Sequence, residues 1–365
     1  MKRLTVDAHQ DLAWNILTFD RDYTLSAADT RQREAGGLAP QVNGDTLLGY
    51  PDYLLGNVAL IFATLFAAPV RAKAGGWDRQ TYVDSDQARH LYSAQLDAYK
   101  YLADRAPEKF RLVLSTRDLD SVFSAWSAAE VETPNLPVGL IPLMEGGEAI
   151  RSLDELPEWW ERGVRIIGPA WMSNRFCGGT REPGSLSKEG RALLDAMAEM
   201  GFILDLSHMD WAAAREALDV YEGAIMASHA NALRQVKNGD SNRFLTDDII
   251  EHIVEHEGVI GVVPFNRFLI QSWKNSDSRE ACPLELVAAQ IDYICQLAGD
   301  SRHVGFGTDF DGGFGLQQVP AGIDTIADLH KLVPMLASQG YNEEDLNAIY
   351  GGNWIKLLRK SLPST

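Results

Sequence analysis

Eight short runs of apolar and β-branched residues, separated by segments of helical period, restrict this chain more than any other feature. In order they read RLTVDAH, NVALIFATLF, LPVGLIPLME, GVRIIGPAW, GFILDLSH, GAIMASHA, GVIGVVPF and HVGFGTDF, from residue 3 to residue 310. Runs so continuously apolar have no wet face, so both sides must be covered, as in a parallel sheet with helices packed outside it. The segments between them have recognisable ends. DSDQARHLYSAQLDAYKYLADRA opens with Ser85 or Asp86 as a cap; SKEGRALLDAMAEM is capped by Ser187 and stopped by Gly201; TDDIIEHIVEHE starts at Thr246 and stops at Gly258. Eight strand–helix units call for closure into a (β/α)8 TIM-type barrel. No linker, low-complexity tract or short repeat interrupts them. The expectation is one barrel domain over residues 1–365 with a long insertion at about 18–55.

The ends of these runs carry the informative ionisable residues. His9 and Asp11 close the first run, Glu145 the third, His208 the fifth, His229 the sixth and Asp309 the eighth. His9 and Asp11 are two apart, so on an extended chain they leave the same face. In a barrel these ends meet at the C-terminal rim, where active sites of such folds are built. That many unpaired charged groups at one mouth would be costly. Three histidines, two aspartates and a glutamate instead make a ligand set for zinc or a similar divalent ion. Asp311, two residues on in TDFDGG, reads as an Asx-turn residue. His252-Ile-Val-Glu255-His256 matches the H-x-x-E-H metal pattern. Ile249, Ile250, Ile253 and Val254 form the buried stripe of that helix, however, which leaves both histidines on a solvated flank. His90, His303 and His330 receive no role.

A net charge of −18 opposes binding to nucleic acid or an anionic membrane, and an anionic group on a substrate then needs a local arginine or lysine. The longest apolar stretch, NVALIFATLFAAPV, is too short to span a bilayer. Cys177, Cys282 and Cys295 lack CxxC spacing, and the N-terminus lacks the order of a signal peptide. A cytoplasmic, disulfide-free protein is the expectation. No G-x-S-x-G elbow, Walker A loop or cysteine–histidine arrangement supports covalent or phosphoryl chemistry.

The segments DAHQDLAW, LIPLMEGGEAI, ILDLSH, IMASHAN, NRFLTDDII and VGFGTDFDG, followed by IYGGNWIKLLR, cover nearly the whole chain. In that order they resemble the membrane-dipeptidase (renal dipeptidase-like) family of the amidohydrolase superfamily. The resemblance implies two divalent metal ions, zinc the first candidate. His9 and Asp11 would hold one, His208 and His229 the other, and Glu145 would bridge both. It further implies hydrolysis of a dipeptide, an L-residue followed by an L- or D-residue, by a hydroxide shared between the ions. Asp309 would take the proton from the parent water and later pass one to the leaving amine. A carboxylate at such a cationic site is expected to have a depressed pKa.

Arg243 matches the arginine that in this family holds the substrate's terminal carboxylate, a task for which the guanidinium fork is suited. Read without the resemblance, it pairs at the surface with Asp247 or Asp248. Trp171 is the departure, because it stands where the family typically presents a histidine to the scissile carbonyl. An indole N–H can donate one hydrogen bond but cannot become cationic; Asn174 and Arg175 are the neighbouring candidates for that contact. The long insertion and Trp171 are expected to shape the pocket for the first side chain, and the family offers a precedent for a homodimer. The chain then reads as a dipeptidase, or as an amidohydrolase of small N-acyl amino acids or lactones. The reading from another class is a non-catalytic relative that binds metal or ligand.

Overall fold

The computed structural model describes residues 3–129 and 135–365. Each of the eight apolar runs contributes one strand: β1 (Thr5–Gln10), β2 (Val58–Phe66), β3 (Val138–Glu145), β4 (Ile166–Gly168), β5 (Ile203–Asp205), β6 (Ile225–Ala227), β7 (Val259–Val262) and β8 (Val304–Phe306). They lie in the order β2-β1-β8-β7-β6-β5-β4-β3, all parallel, and β3 pairs back onto β2 to close the ring. This is the (β/α)8 barrel expected. The short strand Phe110–Leu112 adds to the early part of β3, on the edge that β4 joins further along.

The seam between β1 and β8 is thin in backbone terms, with one register pair, Asp7 with Phe306, and an isolated bridge between Gln10 and Phe310. A side chain does the remaining stitching. The fully buried Asp7 carboxylate accepts hydrogen bonds from the Thr308 amide (2.6 Å), the Thr308 hydroxyl (2.5 Å) and the Gln10 amide nitrogen (2.6 Å). Below the ring, the helix Asn353–Ser361 sends Trp354 under β8, where its indole nitrogen donates to the Phe306 carbonyl (3.1 Å). Gly305 permits that approach, because a Cβ there would lie 2.3 Å from the indole nitrogen.

The helices follow their expected spans with small differences at the ends. Helix Ser85–Arg105 is capped one residue earlier than expected, by Asp84. Asp84 is the extended residue, and its carboxylate accepts from the Gln87 amide at 2.9 Å, while Ser85 already belongs to the helix. Ser187 caps Lys188–Met200, and Gly201, at φ 82°, ends it. Helix Asp247–Glu255 begins after Thr246, but its left-handed stop falls on Glu257 at φ 55° rather than on Gly258. Ile249, Ile250 and Ile253 are its buried stripe; His252 and His256 stay on the flank, and neither joins a metal-ligating cluster among the described residues. The insertion after β1 contains the helices Ala27–Glu34, Leu38–Val42 and Tyr50–Leu55. Among the described residues no helix is long and apolar enough to cross a membrane.

Removing the stitch across β1 and β8 should be expensive. Asp7→Ala leaves the Thr308 amide, the Thr308 hydroxyl and the Gln10 amide unpaired in the core, at a cost of about 3 kcal/mol or more. Asp7→Asn, which keeps an acceptor oxygen, should lose less. Denaturant unfolding of the metal-free protein checks both; equal stability of Asp7→Ala and wild type would show that the seam does not rely on this carboxylate.

Candidate metal centre

All six strand-end residues meet at one mouth. His9 leaves β1 and Asp11 follows it; Glu145 ends β3; His208, His229 and Asp309 sit two or three residues beyond β5, β6 and β8. His208 and Asp309 adopt left-handed backbone, at φ 69° and 57°. Glu145 lies in the middle. Its Oε2 is 3.5 Å from His9 Nε2, while its Oε1 is 3.1 Å from His208 Nε2 and 3.5 Å from His229 Nε2. Asp11 Oδ2 and Asp309 Oδ1 stand 3.9 Å and 4.0 Å from His9 Nε2 on the other side. One group, His9, Glu145 and His229, offers ligand atoms all within 4.8 Å of one another; a second, His9, Asp11 and Asp309, does the same.

The surrounding hydrogen bonds fix which nitrogen each ring presents. Ser228 Oγ lies 2.5 Å from the Asp205 carboxylate, which can only accept, so its single proton points there. The hydroxyl oxygen then accepts from His229 Nδ1 at 2.8 Å and more weakly from His9 Nδ1 at 3.4 Å. Thr180 Oγ1 contacts His208 Nδ1 at 2.9 Å. With their Nδ1 atoms occupied, all three rings turn Nε2 inward, the arrangement that orienting partners impose on metal-ligating histidines.

These residues fit a metal. His208 Nε2 and His229 Nε2 are 2.9 Å apart, and with both protons on Nδ1 two lone pairs face each other, which only a cation or an extra proton relieves. His9 Nε2 and Asp11 Oδ1 are buried with no hydrogen-bond partner among the described residues. Buried polar atoms are seldom left so unless something absent from the chain satisfies them.

Charge follows the same geometry. Burial penalises the His9 cation, but Glu145, Asp11 and Asp309 outweigh it and push the imidazole's pKa up to about 10 in the metal-free site. Burial and the nearby Arg243 lower His208 to about 4; burial, His9 and Arg243 lower His229 as well. Burial would raise Glu145, yet the imidazoles around it hold it well below the usual carboxylate range. Asp309 departs from expectation. Burial, reinforced by Asp11 and Glu145, outweighs the opposing pull of His9 and Arg243 and pushes it well above the ordinary aspartate value, so the depression foreseen for it requires cations beyond those the chain provides.

Arg243 reaches the mouth from the loop before helix Asp247–Glu255. It does not pair with Asp247 or Asp248, which are taken by Arg234 (2.7 Å) and Arg215 (2.6 Å). Only 4% exposed, it donates through Nη2 to the His229 carbonyl at 2.6 Å and lies over the Phe268 ring at 4.9 Å. Its Nε and Nη1 have no partner among the described residues, and burial lowers its pKa to about 10. Trp171 stands beside His208, ring centroids 6.1 Å apart, and packs on Phe66 at 5.0 Å. Asn174 and Arg175 point elsewhere: Asn174 donates to the Pro169 carbonyl (2.7 Å) and Arg175 bonds the Ile150 carbonyl (2.5 Å). Of the three candidates at that strand end, Trp171 faces the site.

Sequence reading overlooked the orienting residues Asp205, Ser228 and Thr180. A signal existed in the repeated Ser-His pairs of LDLSH and MASHA, but their use depends on the register of β5 against β6, where Leu204 pairs with Ile225 and Asp205 with Met226. Asp311 is also more than a turn residue, since its carboxylate accepts from the Leu47 amide (2.9 Å) and the Tyr23 hydroxyl (2.9 Å), far away in the chain.

Comparison with known proteins bears on family and fold. A dipeptidase of Aspergillus oryzae, aclJ, is 31% identical over 175 residues, 48% of this chain and 39% of the relative, so the match spans about two fifths of that protein's length. An uncharacterized Klebsiella pneumoniae protein encoded in the pqqA 5' region is 28% identical over 276 residues, 73% of this chain and 94% of that one. Among solved structures, a metallo peptidase from Rhodobacter sphaeroides, liganded with a phosphinate mimic of the dipeptide L-Ala-D-Ala, superposes with TM-score 0.77 at 23% identity, covering 99% of this chain and 100% of that one. The probable dipeptidase PvdM from Pseudomonas aeruginosa superposes with TM-score 0.78 at 19% identity, covering 99% and 96%. At such identities the superpositions establish the fold alone. The sequence model of the membrane dipeptidases matches residues 1–362, and the chain belongs to that family, peptidase family M19.

Proposed function

We propose that this protein is a metal-dependent dipeptidase. The observation that carries the reading is the pairing, at one mouth, of an inward-facing His and carboxylate cluster with a buried arginine that keeps two nitrogens unpartnered among the described residues. His9 and Asp11 would hold one divalent ion, His208 and His229 a second, and Glu145, whose two oxygens face opposite sets of rings, would lie between them. Such ions, zinc first among the candidates, supply Lewis acidity that polarises a scissile carbonyl and acidifies a water.

The remaining work belongs to the chain. Arg243 Nε and Nη1 receive the terminal carboxylate of the substrate and set the distance from that end to the scissile bond. Asp309 is the most open carboxyl of the cluster, its side chain 14% exposed against 6% for Asp11 and 7% for Glu145. It therefore reaches the reacting groups: its carboxylate accepts the proton of the attacking water and then donates one to the departing amine. Trp171 walls the side next to His208, and its N–H can donate to the carbonyl or to the first residue. That wall cannot become cationic, which favours as a second reading hydrolysis of small N-acyl amino acids or lactones.

Purified protein loaded with zinc or manganese, assayed on L,L- and L,D-dipeptides, N-acyl amino acids and lactones, separates these readings. Hydrolysis of dipeptides that a chelator abolishes and added metal restores is the expected result; no metal-dependent turnover on any substrate would leave a binding protein. Asp309→Asn should keep two bound ions by elemental analysis and lose turnover, and normal activity in that variant would strip Asp309 of its role. Arg243→Met removes two charge-assisted contacts at about 1.5–3 kcal/mol each, which amounts to roughly a 100-fold or greater rise in KM for dipeptides. The same substitution should leave the KM for a dipeptide amide unaltered; equal losses on both substrates would show that Arg243 does not read the carboxylate.

A further inference from the structure

The insertion between β1 and β2 is tied to the catalytic mouth by a buried network that none of the proposed steps uses. At its centre is Asp311, fully buried and left-handed at φ 65°. Its carboxylate accepts from the Leu47 amide (2.9 Å), the Tyr23 hydroxyl (2.9 Å) and the Thr46 hydroxyl, and faces Arg21 Nη1 at 3.2 Å. Arg21, itself 4% exposed, is held by both oxygens of Glu34 (2.9 and 3.1 Å), by Asn15 Oδ1 (3.0 Å) and by the Gly44 carbonyl (3.1 Å). Every one of these partners lies between residues 15 and 47, and they grip a residue at position 311.

Two links carry that grip to the site. Asn15 Nδ2 bridges the Asp11 carbonyl (3.0 Å) and the Asp311 carbonyl (2.9 Å), so the backbones below both carboxylates hang from one amide. Gly312, bonded through its amide to the Asp309 carbonyl (2.9 Å), lies directly under the carboxylates. A Cβ at residue 312 would sit 2.0 Å from Asp309 Oδ1 and 2.9 Å from Asp11 Oδ2. With no slack between Asp309 and the chain that follows it, a shift of Asp311 becomes a shift of the Asp309 carboxylate. Two non-glycine residues in left-handed backbone within three positions need such external support, since neither holds that conformation cheaply by itself.

We propose that the insertion is a clamp, with Tyr23, Thr46 and Arg21 as positioning residues that act through Asp311 to hold Asp309 where it can exchange protons with the substrate. This rests on Asp309 being the proton carrier. The clamp gives the insertion a task in turnover beyond lining a pocket, and its effect belongs in kcat rather than in substrate binding.

Tyr23→Phe and Thr46→Val each remove one donor while keeping the shape of the side chain, and both can be made in the full-length, metal-loaded protein. Misplacement of a catalytic group by a fraction of an ångström predicts about a tenfold fall in kcat for each, with KM within about twofold of wild type and two ions still bound. In an Asp309→Asn background, where the carboxylate being positioned is gone, Tyr23→Phe should leave the residual single-turnover rate within about twofold. Wild-type kcat in both single variants overturns the clamp, as does a fall that tracks lost ions or an equal fall in the Asp309→Asn background. If Asp309→Asn itself turns over normally, the proton role and the clamp fall together. If Asp309→Asn is inactive while Tyr23→Phe and Thr46→Val are normal, only the clamp falls.

Discussion

A buried carboxylate between two sets of imidazoles governs this structure. Glu145 ends β3 with one oxygen toward His9 and the other toward His208 and His229, and each of those rings comes from a different strand. Such an arrangement is possible only if β1, β3, β5 and β6 deliver their last residues to one point, which is what barrel closure achieves. The closure in turn depends on strands covered on both faces, hence on the apolar runs with which the chain is written. The polar mouth and the dry wall are consequences of one pattern.

Around that point the polar residues form a second ring with its own logic. Asp205 accepts from Ser228, Ser228 accepts from the rings, and Thr180 serves His208 from a separate hairpin. Since a hydroxyl has one proton and Asp205 takes it, the hydroxyl can only receive from imidazole nitrogen, and tautomer choice passes inward from an acid that never touches the centre. Arg243 extends the same principle. It is tied by one nitrogen to the His229 carbonyl, so the guanidinium and the imidazole are positioned by the same stretch of backbone.

The fold and the convergence of the strand-end side chains were legible because both depend on local signals: continuous apolar runs for the strands, and His, Asp or Glu where a run stops. What local signals cannot carry is side-chain contact across long separations. Asp84 rather than Ser85 caps its helix through a one-residue difference in backbone angle that composition does not encode. Asp311 resembled an ordinary turn residue because its partners, Tyr23, Thr46 and Leu47, sit on the far side of the sequence. Arg243 had acidic neighbours in sequence, yet Arg215 and Arg234 claim them, and the guanidinium turns inward instead. Trp171, rather than Asn174 or Arg175, faces the mouth because those two are spent on carbonyls of nearby turns.

The Asp7 seam has a bearing on how the molecule comes to exist. Its bonds to Thr308 join residues 301 positions apart, so the ring cannot be sealed until the chain has been made past residue 308. Contacts of such long range are slow to form because a great length of chain must first be brought together. On a ribosome β1 therefore waits, with its histidine and aspartates unsheltered, while seven other strands emerge; the mouth is complete only when the last of them arrives.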